Sequence, residues 1–187
     1  KDARAALVQE TKDSCDRPVP FTLNSPYFLP ATKRELVAEV GIRRFAGKGI
    51  PAAKYLAAQV EGGARRRKRF ERALQAVGAL PSGYAVVPGE GVPLDAYGNV
   101  DSRLIIQLLA YFKAVPEMGY KANMTDKRRA SLAKGSKRRG LRGVVYFVGR
   151  PGNGKHPLGI WVRTTFAQGS AIKPILMFVP DVQYEKR

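Results

Sequence analysis

Two segments rich in β-branched and aromatic residues, "RGVVYFV" (142–148) and "GIWVRTTF" (159–166), constrain the fold of this chain more than any other feature. They flank a stretch rich in Gly, Pro and Asn, and together they predict an antiparallel hairpin. The intervening "GRPGNGK" (149–155) has the GxxxxGK spacing of a phosphate-binding loop. That loop requires Ser or Thr next and then a helix, whereas His156 and a strand-like segment follow here. The pattern therefore favours a turn over a nucleotide site.

The spacing of apolar residues predicts helices at 1–16, 51–60, 64–78 and 102–115. Alternating apolar residues predict one early strand within 33–43, and a third late strand follows the hairpin at 173–181. This order predicts an α+β fold in which helices pack on a small antiparallel sheet. The first helix has neither an initiating Met nor a cap before it, so we expect it to be truncated at its start.

Residues 17–31 contain four prolines, at positions 18, 20, 26 and 30. Because proline is excluded from helix interiors and central strands, the segment is expected to be an extended arm. Residues 32–187 are then expected to form a single α+β domain. An extended arm cannot bury its own large apolar side chains. We therefore expect neighbouring subunits to cover four of them, namely Phe21, Tyr27, Phe28 and Leu29.

The chain has a formal net charge of +18, from 33 Lys and Arg against 15 Asp and Glu. A charge of this size predicts a negatively charged neighbour, which could be nucleic acid, an acidic protein surface or an anionic membrane. The first cationic cluster is expected on a helix fixed by the apolar stripe Phe70, Leu74 and Val77, and we assign it to subunit contacts. Its members are Arg65, Arg66, Arg67, Lys68 and Arg69.

A second cationic cluster lies in residues 124–142, which we expect to be a flexible loop until a partner orders it. We assign this cluster to contacts with DNA or another acidic surface. Neither cluster is interleaved with aromatic residues, so sequence-specific nucleic-acid recognition is not indicated. The members of the second cluster are Lys127, Arg128, Arg129, Lys134, Lys137, Arg138, Arg139 and Arg142.

Residue types that carry catalysis are sparse in this sequence. The single histidine, His156, falls in the predicted turn, and the single cysteine, Cys15, excludes an internal disulfide and fits a reducing environment. Asp95 and Asp101 form the best carboxylate pair, but metal-dependent nuclease sites usually need further ligands. Asp101 or Ser102 is expected to cap the helix at 102–115, which gives Asp101 a structural role. We expect no catalytic, cofactor or metal site. No apolar run reaches the ~20 residues that span a bilayer.

Four segments, "PAAKYLAAQVEGGARRRKRFERAL", "LPSGYAVVPGEGVPLDAYGNV", "YFVGRPGNGKHPLGIW" and "KPILMFVPD", form a set that resembles tail or neck proteins of bacteriophages. The likeness includes "DRPVPFTLNS" and is to minor tail or tail-completion proteins, loosely of the minor tail protein Z class. It implies a virion structural protein that forms a ring where the tail meets the head or where the tail ends. It supplies no catalytic residues.

The resemblance also implies partners and a location. The partners are further copies of the chain, other tail, neck or portal-associated proteins, and genomic DNA bound without sequence specificity, but no membrane. The protein is expected in the virion, and in the host cytoplasm during assembly. The alternative is a sequence-independent nucleic-acid-binding protein of another origin, which the high positive charge would equally serve.

Overall fold

The computed structural model describes residues 2–47, 49–115, 122–136, 140–149, 158–166 and 169–185. Within these residues the chain forms six helices and eight strands. In chain order they are α1 (Asp2–Ser14), α2 (Pro20–Leu23), β1 (Pro26–Leu29), β2 (Glu39–Ile42), α3 (Ala52–Glu61), β3 (Gly63–Ala64), α4 (Arg69–Ala76), β4 (Tyr84–Pro88), α5 (Ser102–Tyr111), α6 (Asp126–Lys134), β5 (Gly143–Gly149), β6 (Gly159–Phe166), β7 (Gly169–Pro180) and β8 (Gln183–Tyr184).

The chain divides into two compact units, which differ from the expected single domain at 32–187. The N-terminal unit comprises residues 1–66, 96–98 and 182–187, and the C-terminal unit comprises 67–95 and 99–181. Residues 32–66 therefore pack with the segment before them, because β2 finds its strand partner in β1.

The proline-rich segment is not an extended arm. Pro20 is the first residue of α2, where its missing N–H costs no hydrogen bond, and Pro26 is the first residue of β1. Strand β1 pairs antiparallel with β2, with Phe28 opposite Val40. The Thr22 and Tyr55 hydroxyls, 2.8 Å apart, hydrogen-bond within the same unit. Pro20 and Pro26 are each the first residue of a helix or strand, where proline is allowed, so the expectation of an extended arm was wrong.

The C-terminal unit contains a four-stranded antiparallel sheet in the order β4-β7-β6-β5. The predicted hairpin is confirmed as β5 and β6, with Phe147 opposite Trp161. The third late strand, β7, begins earlier than predicted, and β4 was not among the predicted strands. The early strand β2 pairs with β1 and does not join this sheet. The α+β class is confirmed.

The core of the C-terminal unit forms where α4 and α5 pack on the sheet, through buried residues that include Leu74, Leu108, Ile160 and Leu176. Of the two residues predicted to cap α5, Asp101 does so, since its carboxylate accepts the Arg103 N–H at 2.8 Å. Among the described residues, no helix is both long enough and apolar enough to cross a membrane.

Candidate subunit and nucleic-acid interfaces

The first cationic cluster does not lie on a helix as a whole. Helix α4 begins at Arg69, and residues 65–68 precede it. The expectation of a helix from residue 64 was wrong. Cations in a first helical turn oppose the helix dipole, which disfavours a helix through the whole cluster. The Glu71 carboxylate accepts the Lys68 N–H at 2.6 Å, and this hydrogen bond fixes the start of α4 at Arg69, the last cation of the cluster.

The members of the first cationic cluster have different surroundings. Arg67 donates to the Asp181 carboxylate in an ion pair in which both side chains are about one quarter exposed, so it holds structure within the C-terminal unit. Lys68 lies over the Phe70 ring, 5.9 Å from its centroid. Arg66, Lys68 and Arg69 are exposed, and Arg65 is half-buried. The exposed members are the ones that a partner can reach.

The second cationic cluster lies partly on a helix, which corrects the expectation of a flexible loop across 124–142. Helix α6 is capped by Thr125, whose hydroxyl accepts the Arg128 N–H at 3.3 Å, and it ends at Gly135, which has a φ of 67°. Leu132 packs against the core of the C-terminal unit. The packing of Leu132 and the caps at Thr125 and Gly135 therefore give residues 126–134 a defined position.

Arg129 makes contacts within the protein. Its guanidinium donates two hydrogen bonds to the Tyr111 carbonyl oxygen, lies 4.9 Å from the centre of the Tyr111 ring, and pairs with Asp126 at 3.5 Å. This half-buried side chain thus attaches α6 to the end of α5. The cluster members that are exposed are Lys127, Arg128, Lys134 and Arg142, while Lys137, Arg138 and Arg139 lie outside the described residues.

A groove of about 940 Å³ runs along the end of α6. Arg128 and Arg142 line it together with Ser131 and Ser136. Ser136 and Leu141 exchange two backbone hydrogen bonds, of 2.8 and 2.9 Å, which position the chain after the helix. Two guanidinium groups and two hydroxyls are donors that suit phosphate oxygens.

The apolar residues assigned to subunit contacts divide into two pairs. Phe21 and Leu29 are 49% and 53% exposed, whereas Tyr27 and Phe28 are half-buried in β1. The Tyr27 hydroxyl donates to the Glu39 carboxylate, and this hydrogen bond raises the pKa of Tyr27.

The sequence interpretation missed three side chains of the N-terminal unit that are more exposed than these. Leu36, Val37 and Phe45 are 84%, 67% and 91% exposed. No local sequence signal distinguishes them from core residues, because exposure depends on what packs around each of them.

The residues considered for catalysis have structural surroundings where they are described. The Cys15 thiol donates to Gln59 Oε1 at 3.6 Å, and the Asp95 carboxylate accepts the Asn99 N–H at 2.8 Å inside a turn. Asp101 caps α5. His156 lies outside the described residues. Within the part of the chain that the structure describes, no three His, Cys, Asp or Glu side chains form a group that could hold a metal ion.

Comparisons with protein families, with curated protein sequences and with solved structures found no match to this chain.

Proposed function

We propose that this protein is a non-enzymatic structural component of a bacteriophage virion, forming a ring at the head-tail junction or at the tail end and contributing to tail completion or attachment. The observation that carries the proposal is the strong exposure of Leu36, Val37 and Phe45 in the N-terminal unit. Large apolar side chains this exposed can bury their surface against a neighbouring chain, and a ring subunit needs contacts with its neighbours. The phage assignment itself rests on the sequence resemblance.

The cationic surfaces fit the same proposal. A ring around the path of a genome benefits from cations that attract phosphates without reading the base sequence. The exposed members of the second cationic cluster, with the groove beside Arg128 and Arg142, supply such a surface. Arg66 and Arg69 of the first cluster remain our proposed contacts to acidic groups on a neighbouring subunit.

The proposal is tested by electron microscopy of phage particles assembled without this protein. We expect heads and tails that fail to join, or tails of aberrant length, with normal particles restored when the wild-type protein is supplied. Normal particles in its absence, together with no copies of the protein in purified virions, would rule out a structural role.

A sequence-independent nucleic-acid-binding protein is the second candidate function, and the groove lined by Arg128, Ser131, Ser136 and Arg142 favours it. The two functions predict different states of the purified protein. A monomer that carries stoichiometric cellular RNA supports the second, whereas a discrete oligomer that keeps its mass after nuclease treatment supports the first.

A further inference from the structure

The N-terminal unit contains an apolar pocket between α1 and α3 that holds about 240 Å³. Leu7, Ile42, Leu56 and Val60 supply its apolar walls, and Glu10, whose carboxylate accepts the Ser14 hydroxyl at 2.9 Å, is also a lining residue. A cavity of about 150 Å³ already admits a benzene ring. The pocket is therefore large enough for one phenylalanine side chain.

The same unit presents a side chain of matching size to the solvent. Phe45 is 91% exposed and follows two exposed arginines, Arg43 and Arg44. Although Ile42 of the pocket is only three residues away in sequence, the ring of Phe45 lies outside the pocket. An exposed aromatic ring beside two cations is typical of an anchor residue at a protein interface, where aromatic side chains and Arg dominate binding energy.

We propose that Phe45 of one copy inserts into this pocket of a second copy, with Arg43 and Arg44 placed beside Glu10. Glu10 is the charged residue among those that line the pocket, and its charge is opposite in sign to that of Arg43 and Arg44. Leu36 is also strongly exposed, but the residues before it, Lys33, Arg34 and Glu35, carry charges of both signs, whereas both residues before Phe45 are cationic. Charge therefore selects Phe45 over Leu36.

An interface of this kind joins two different surfaces, because each copy offers one Phe45 and one pocket. Such contacts close into a ring when the rotation between neighbours permits it and otherwise extend into a filament. The inference rests on the proposed ring and names one contact that would build it.

Two variants and a matched control test the contact by sedimentation velocity. Phe45→Ala removes the inserted side chain, and Val60→Arg places a cation at the pocket, where Arg43 and Arg44 would be repelled. We expect each to raise the dissociation constant for self-association by about tenfold or more, as for other interface anchors. Ile106→Ala, which removes an exposed apolar side chain of the C-terminal unit, should change it less than about threefold.

Mixing the two defective variants gives the decisive result. Phe45→Ala retains an intact pocket and Val60→Arg retains an intact Phe45, so an equimolar mixture should form a heterodimer of twice the monomer mass that neither variant forms alone. If Val60→Arg does not fold, Glu10→Lys takes its place as the pocket variant.

The opposing outcomes are distinct. Oligomers of both variants that match the wild type would overturn the Phe45 contact and leave the ring proposal standing. A wild-type chain that stays monomeric at every concentration would overturn both.

Discussion

Replacing Glu71 with Ala removes the carboxylate that joins the start of α4 to strand β4. Glu71 is 0% exposed, and its two oxygens accept the Val86 N–H at 3.0 Å and the Lys68 N–H at 2.6 Å. A buried hydrogen bond to a charged group contributes about 1.5–3 kcal/mol, and loss of an N-terminal helix cap costs about 0.5–2 kcal/mol. The sum is about 2–5 kcal/mol, so we expect the variant to lose about 3 kcal/mol of unfolding free energy.

Urea unfolding followed by circular dichroism measures this loss from the midpoint and slope of the transition. Glu90→Ala is the matched control, because Glu90 is an exposed carboxylate of the same unit and its removal should change stability by less than about 0.5 kcal/mol. A loss below about 1 kcal/mol for Glu71→Ala would refute the view that these two hydrogen bonds fix the position of α4.

Three further predictions concern the C-terminal unit. Gly135→Ala should destabilise the protein more than Gly140→Ala in urea unfolding. Both glycines have positive φ (67° and 62°), but only a Cβ at position 135 would lie 2.5 Å from a backbone oxygen. Equal losses of unfolding free energy in the two variants would contradict that close approach. Arg129→Ala should lower the Tm and have little effect on DNA affinity, because Arg129 makes contacts within the protein. Lys127→Ala should leave the Tm unchanged and reduce the salt slope of DNA binding by about one unit, because Lys127 is exposed. The reverse pattern would show that the two roles are exchanged. Burial raises the pKa of Tyr146 above its usual value of 10.0, so the folded state favours the protonated phenol and the free energy of unfolding should fall as the pH rises above 10.0. Tyr146→Phe should lose less stability than the wild type between about pH 9 and 11. Identical losses in both proteins would contradict the raised pKa of Tyr146.

The parts of the fold that sequence predicted are those set by local patterns. The hairpin of β5 and β6 follows from two β-branched segments around a turn, and the start of α5 follows from the cap at Asp101. The addition of β4 to the sheet depends on its pairing with β7, a contact between distant segments that no local pattern encodes. Strand β1 lies close in sequence to its partner β2, and it was missed because the prolines around it were taken to exclude a strand. Pro26 illustrates the limit, because the same residue is excluded from a central strand and allowed as the first residue of a strand.

The sequence predicted which residues of the candidate interfaces are charged, but it did not predict where the fold places them. Both cationic clusters are visible as runs of Lys and Arg, but Glu71 determines where α4 begins and Leu132 anchors α6. Arg67 and Arg129 were assigned to partners, yet the structure pairs them with Asp181 and with the carbonyl oxygen of Tyr111. Exposure of an apolar side chain such as Phe45 is decided by tertiary packing, so the sequence could not identify it.

The native mass of the purified wild-type chain, measured over a range of protein concentrations before and after nuclease treatment, tests the ring proposal most directly. We predict a single closed oligomer whose number of subunits stays fixed as the concentration rises and which nuclease does not change. A monomer at every concentration, or a larger species that falls to the monomer mass once nucleic acid is digested, would contradict the proposal and favour the nucleic-acid-binding alternative.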